Sequence, residues 1–265
     1  VGSNLSVPDQ ALEMETTMTR LVLNDVIENA HAIIQNVIRQ GCFELLEPEA
    51  RAFVGAFGIT TPGYKVVTSA EGAVQAAASL GFPVVLKIVS PNISHKTDVG
   101  GVKVGIHDNK GVKAAYEEIL ENVRKNRPDA VIRGIIVSEM ALPAPEVIIG
   151  GLRDPQFGPA VMFGLGGVFV EIFKDVSFRI APVEEYEALE MISEVKGSAM
   201  LRGFRNSQPL DISAIVQAIL KVSDMMVSLS EIKEVDLNPV LVYPKGIKAV
   251  DARIILNRVP EKVTP

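Results

Sequence analysis

At 265 residues, 48% of them hydrophobic and 22% charged, the chain is long enough to bury a real core and has no bias towards disorder. Its formal charge of −6 argues against the clustered basic surface that grips nucleic acid or anionic lipid, so an anionic ligand must be met by a few placed Lys, Arg or backbone N–H groups, or by a metal. Cys42 is the single cysteine, which rules out an intrachain disulfide and a thiolate cluster and fits a reducing, cytoplasmic setting.

Residues 1–16 are polar and unpatterned, a loose tail lacking the positive and apolar regions of a secretory signal. From Thr17 to Gln40, Leu21, Val26, Ile27, Ala30, Ile33, Ile34 and Val37 recur at helical period, with Gly41 as the stop. A second helix follows Pro48, turning Ala50, Phe53, Val54 and Phe57 inward and ending at Gly58. Val66-Val67 predicts a short strand and Glu71–Leu80 an Ala-rich helix closed by Gly81. The nearly unbroken β-branched run from Pro83 to Val89 reads as a strand buried on both faces. Ser90–Thr97 is a polar loop, Gly101–Ile106 alternates as a half-buried strand should, and Lys110–Arg124 is an amphipathic helix.

Strands then follow one another at Ile135–Glu139, Glu146–Gly150, Pro159–Phe163, Val168–Phe173 and Val176–Ile180. Helices are predicted at Val183–Met191 and Asp211–Leu229, the latter capped by Asp211 or Ser213. Val235–Val242 and Ile247–Ile255 close the chain as hairpin-like strands. Consecutive strands predict an antiparallel sheet, so the class is α/β in its α+β form. No apolar run reaches membrane-spanning length. The predicted organisation is a tail and helix over 1–44, a first lobe over 45–134 and a second over 135–259, with the cleft between lobes as the ligand site.

Several residues in these segments could carry chemistry, and each has a plainer reading. Lys87 interrupts an apolar strand, where an unopposed charge costs several kcal/mol; it is either a phosphate ligand or a lysine snorkelling at a strand end. His95 sits in a loop with Gly100-Gly101 as a hinge and is either solvated or a nucleophilic relay for phosphate. Phe163-Gly164-Leu165-Gly166-Gly167 lacks the P-loop ending and reads as a turn, with backbone free to approach a ligand. Glu139-Met140-Ala141 through Pro143 and Pro145 to Glu146 is a stiff linker, or a hinge whose backbone reads an adenine edge with a carboxylate for ribose. Asp236, Asn238 and Asp251 lie on the two closing strands and could converge on Mg²⁺, or be an Asn-Pro turn and a strand-end acid. Arg179 could clamp phosphate, or pair with Glu171 or Asp175.

Taken in order, Val84-Val85-Leu86-Lys87, Ser94-His95-Lys96-Thr97-Asp98, Arg153-Asp154-Pro155, Phe163-Gly164-Leu165-Gly166-Gly167 and Asp236-Leu237-Asn238-Pro239 resemble the ATP-grasp β subunit of NDP-forming acyl-CoA synthetases, relatives of succinyl-CoA synthetase. The resemblance runs from about Leu45 to Ile255. It implies an ATP-grasp fold whose two lobes clamp ATP or ADP, with the N-terminal helix as an extension. It implies that His95 is similar to the family's second phosphohistidine, that Lys87 and Arg179 meet phosphate, and that Asn238 and Asp251 hold Mg²⁺. Glu139, Met140, Ala141, Glu146, Gly164, Gly166 and Gly167 take the nucleotide in the same comparison. Nothing here resembles the CoA-binding part, so a separate α subunit in an α2β2 assembly is implied. Two other readings stay open: an ATP-grasp carboxylate–amine ligase, which needs no phosphorylated protein, and a non-catalytic ATP-sensing subunit.

Overall fold

Apolar spacing sets the first helix. In the computed structural model, which describes residues 25–167, 175–203 and 208–257, α1 occupies residues 25–39 and buries Ala30, Ile34 and Val37. The tail, the first turns read from Thr17 and the strand read at Val168–Phe173 lie outside the described residues. Helix α2 (Glu47–Ala56) carries Pro48 in its first turn, where a missing N–H leaves no bond unmade, and Glu49 Oε2 accepts from Leu46 N at 2.8 Å.

The first sheet is built from β1 (Tyr64–Val67), β2 (Val84–Val89), β3 (Val102–Ile106) and β4 (Gly134–Glu139), in the order β1-β4-β2-β3 with every pairing antiparallel. Helices α3 (Ala70–Leu80) and α4 (Asn109–Asn126) begin at the side-chain caps Ser69 and Asp108. They press Ala73, Ala77, Val112 and Ile119 onto Leu86, Ile88, Ile135 and Val137. Side chains alternate along a strand, so Lys87 and Ser138 project from the opposite face.

One placement differs from the sequence reading. The strand at Ile135–Glu139, expected to open the second lobe, pairs with both β1 and β2 and fills the core under α3 and α4. The division between sheets therefore falls within residues 140–145. Helix α2, counted with the first lobe, instead packs Phe53, Val54 and Phe57 into the second core. Chain order does not label a strand with its sheet; the space between β1 and β2 does.

The second sheet comprises β5 (Glu146–Asp154), β6 (Gly158–Leu165), β7 (Val176–Ile180), β8 (Ile232–Val242), β9 (Ile247–Ala249) and β10 (Ala252–Leu256). It is antiparallel, in the order β10-β8-β5-β6-β7, with β9 also on β8. Helices α5 (Glu185–Glu194) and α6 (Ile212–Ser228) cover one face, where Ile219 and Val222 meet Val147, Ile149, Val161 and Phe163. Gly151 lies under α6; a Cβ there would come within 2.6 Å of Met226 Cγ. Of the two caps proposed for α6, Asp211 is the one used: its Oδ1 accepts from Ala214 N at 2.9 Å and its Oδ2 from Gly246 N at 2.7 Å. At the other end of α6, Arg153 donates to the carbonyls of Met226, Leu229 (3.2 Å) and Ile232 (3.0 Å). No helix among the described residues is long and apolar enough to cross a membrane.

Candidate functional site

The site is organised around Glu47, the first residue of α2. Lys87, projecting from β2 towards the second lobe, donates from Nζ to Glu47 Oε1 at 2.8 Å and lies 3.3 Å from Asp251 Oδ2. Lys96 Nζ stands 3.0 Å from Glu47 Oε2, and Arg51, one helical turn on, is 3.7 Å from Oε1. Three cations thus face two carboxylates, a surplus of positive charge inside an acidic protein. Glu47 is only 6% exposed. Burial pushes its carboxyl up, but Lys87 and Lys96 outweigh that and hold it below the ordinary glutamate range. Burial pulls Lys96 down, but Glu47 and then Asp251 hold its ammonium above the usual lysine value. Lys87 therefore does not snorkel; it is a buried, paired cation.

Arg51, 1% exposed, is fixed by the Pro62 carbonyl (2.5 Å) and Ser138 Oγ, and its guanidinium lies 4.3 Å above the centre of the Tyr64 ring. Neither Glu47 nor Arg51 was singled out by the sequence. An acid at a helix start is commonplace. The one available signal is the four-residue spacing of opposite charges, Glu47 to Arg51, at the start of the helix.

The loop after β2 is stitched down on both sides of His95. Ile93 is buried in the first core, and Asn92 Oδ1 accepts from Val131 N at 3.0 Å. Gly101 N donates to the Lys96 carbonyl (2.8 Å) and Ile88 N to the Gly101 carbonyl (2.8 Å). Any side chain at 101 would press its Cβ to 2.6 Å from Ile88 Cγ2 and 2.9 Å from the Lys96 carbonyl. His95 itself is exposed. It lines a cavity of about 1090 Å³ together with Glu47, Lys96, Asp236, Asn238 and Asp251. It also lines an adjoining space of about 430 Å³ with Lys87, Thr97, Asp98 and Asp251.

Strand register explains how two of these meet. Leu237 of β8 pairs with Ala252 of β10, so one step further sets Asn238 opposite Asp251. The apolar neighbours Val235 and Leu237 face the α6 core, which turns Asp236 and Asn238 to the open face. Burial, then Glu234, with Asp251 adding a smaller share, raise the Asp236 carboxyl above the ordinary aspartate range despite Arg253. Arg253 is itself held by Glu44, Nε to Oε1 at 2.8 Å. Among the described residues no three His, Cys, Asp or Glu side chains form a closed metal cage. An amide and a carboxylate oxygen, with open space beside them, form the sparse hard donor set that Mg²⁺ accepts when water and phosphate complete its shell.

The remaining candidates lie elsewhere. Glu139, Met140, Ala141 and Glu146 flank the crossing between lobes. Glu139 accepts from Gly63 N at 3.0 Å, Met140 N donates to the Pro83 carbonyl, and Gly166 N donates to the Glu146 carbonyl at 2.7 Å. Gly164 lies opposite Ile148, one residue before the end of β6, and Gly167 follows two residues beyond that end. None of these lines either cavity. Nor does Arg179. It sits on β7, at the far edge of the sheet from β8 and β10, on the same face as Ser177, whose hydroxyl donates to the Met191 carbonyl under α5. Among the described residues the acids that hold Arg179 are Glu194 (3.1 Å) and Glu190 (3.5 Å) of α5, not the expected Asp175; Glu171, the other acid expected, lies outside the described residues.

Comparison with known proteins agrees with this architecture. The ATP-grasp domain model matches residues 36–256. Acetate–CoA ligase [ADP-forming] I subunit beta of Pyrococcus furiosus is 49% identical over 212 residues, covering 80% of this chain and 91% of that protein. Among solved structures, the dinucleotide forming acetyl-coenzyme A synthetase 1 of Ca. Korarchaeum cryptofilum is similar in two forms. One, with coenzyme A, acetyl-coenzyme A and a phosphorylated phosphohistidine segment in the site I orientation, has a TM-score of 0.81 at 52% identity, covering 86% of this chain and 100% of that one. The other, with coenzyme A and Mg-AMPPCP and its phosphohistidine segment pointing towards the nucleotide binding site, has a TM-score of 0.76 at 50% identity and the same coverage.

Proposed function

The chain belongs to the ATP-grasp domain family, among the β subunits of ADP-forming acetate–CoA ligases, and from that premise we propose that it moves a phosphoryl group between His95 and ADP in the reaction acyl-CoA + ADP + phosphate ⇌ acid + CoA + ATP. The observation that carries this reading is an exposed imidazole on a loop with fixed ends, beside a cavity that brings together Lys96, Asn238 and Asp251. In the neutral ring one nitrogen keeps its lone pair and can take the phosphoryl group. On discharge the N–P bond breaks and its electron pair returns to the ring, while a terminal oxygen of ADP forms the new O–P bond.

Little covalent machinery is needed beyond this; transfer depends on positioning and on neutralising charge. Lys87 brings positive charge to the floor of the site, and its contact with Asp251 keeps it from turning away. Asn238 and Asp251 would hold Mg²⁺, which when bound neutralises phosphate oxygens. Glu139, Met140, Ala141 and Glu146, with Gly164, Gly166 and Gly167, offer the base and ribose a place at the lobe crossing. Arg179 has no part in this reading, being engaged by α5. His95 is loaded at a CoA-binding α partner, and its loop travels between that surface and the cavity. Incubating the chain with such a partner, acyl-CoA and labelled phosphate should leave acid-labile label on His95. A His95→Asn chain that still turns over would overturn the proposal in favour of a ligase forming a free acyl phosphate.

A further inference from the structure

We propose that Lys96 is a positioning residue: its ion pair with Glu47 latches the His95 loop on the nucleotide side and sets how the loop divides between that side and the partner. The inference rests on the phosphohistidine reading above. Four of the five side chains from Ser94 to Asp98 are exposed, and Lys96 alone reaches into the protein. The bonds of Asn92 and Ile93 fix where the loop leaves β2, and Gly100 N and Gly101 N bond the Thr97 (3.0 Å) and Lys96 (2.8 Å) carbonyls, folding the tip back on the start of β3. Across to the second lobe the tip is held through Lys96 Nζ, 3.0 Å from Glu47 Oε2.

The anchor is well suited to a latch. Glu47 divides its oxygens, Oε1 to Lys87 and Oε2 to Lys96, so releasing Lys96 leaves the carboxylate still paired. An uncompensated buried charge is thereby avoided in the released state, and the loop can leave at modest cost. Glu47 belongs to a helix packed in the second core, whereas Lys96 belongs to the first lobe, so the pair registers loop position and lobe approach together. A phosphoryl group on His95 brings about −2 charge within one residue of Lys96, so the ammonium that meets Glu47 also draws the loaded ring to the nucleotide side.

The test separates the two half-reactions in the complete complex. Loading is followed as label appearing on His95 from acyl-CoA and phosphate without nucleotide; discharge is followed by mixing loaded complex with ADP. Lys96→Met, which keeps length and removes charge, should slow discharge at least tenfold through kcat, with loading unchanged or faster. Lys96→Arg should restore discharge. Equal losses in both halves, or an unchanged discharge rate, would overturn the latch; unchanged loading also reports that the variant is folded. If the wild-type chain never takes up label, the relay reading itself falls and the latch with it.

Discussion

Replacing Glu47 by Gln removes one charge and almost no volume, so it isolates the electrostatics of the cluster. Breaking a buried pair by deleting one partner costs about 3–5 kcal/mol, because the other charge stays behind. Here Lys87 retains Asp251 and Lys96 can turn to solvent, which places the loss near about 3 kcal/mol. At about 2.1 cal/mol/K per residue, 265 residues convert that loss into a fall of about 5 °C in the melting temperature. The pH dependence follows from the depressed carboxyl of Glu47. A group held lower in the folded state than in the unfolded chain contributes stability that is complete above the ordinary Glu value near 4.5. That contribution is lost as pH falls through the folded value. Urea unfolding of wild type and Glu47→Gln should therefore differ by about 3 kcal/mol at pH 7 and converge as the pH is taken well below 4.5. A gap under about 1 kcal/mol at pH 7, or one that does not narrow in acid, would refute the account of Glu47 as the common anchor.

Gly101→Ala forces a Cβ against Ile88 and the Lys96 carbonyl; a loss of about 1–3 kcal/mol is expected, read by urea unfolding, with discharge to ADP impaired more than loading. Arg153→Met removes the bonds to the α6 carbonyls and should cost about 1.5–3 kcal/mol while leaving turnover per folded molecule unchanged. Asp236, raised by burial and by Glu234, is more stably placed when neutral. Its charge therefore opposes folding above its raised value, and Asp236→Asn should melt higher at pH 7 than wild type when no magnesium is present. A lower melting temperature would remove that explanation.

The sequence conveyed local structure well and partnership poorly. The run read from Pro83 comes within one residue of β2 because β-branched residues fitting a doubly buried strand announce themselves locally. Asp211 is one of the two caps the sequence offers for the same reason: its partner, Ala214 N, is three residues away. Strand β5 was cut short at Gly150, since two adjacent glycines look like an ending, whereas Gly151 is there to admit Met226. Arg179 was read correctly as a polar residue in an apolar strand, but which acids hold it depends on α5 packing across β7. The candidate site divides along the same line. Lys87, His95, Asn238 and Asp251 stand out as polar groups in or beside apolar strands. Glu47 does not, because its closest ion pairs are to residues 40 and 49 positions away along the chain.

Because Glu47 is rooted in one half of the molecule and its two ammonium partners in the other, the halves cannot drift apart without leaving that buried carboxylate only the more distant Arg51. An anion arriving at Lys87 and Lys96, as a nucleotide phosphate would, must first compete with Glu47 for them. The two halves are thus tied by charge while the site is empty.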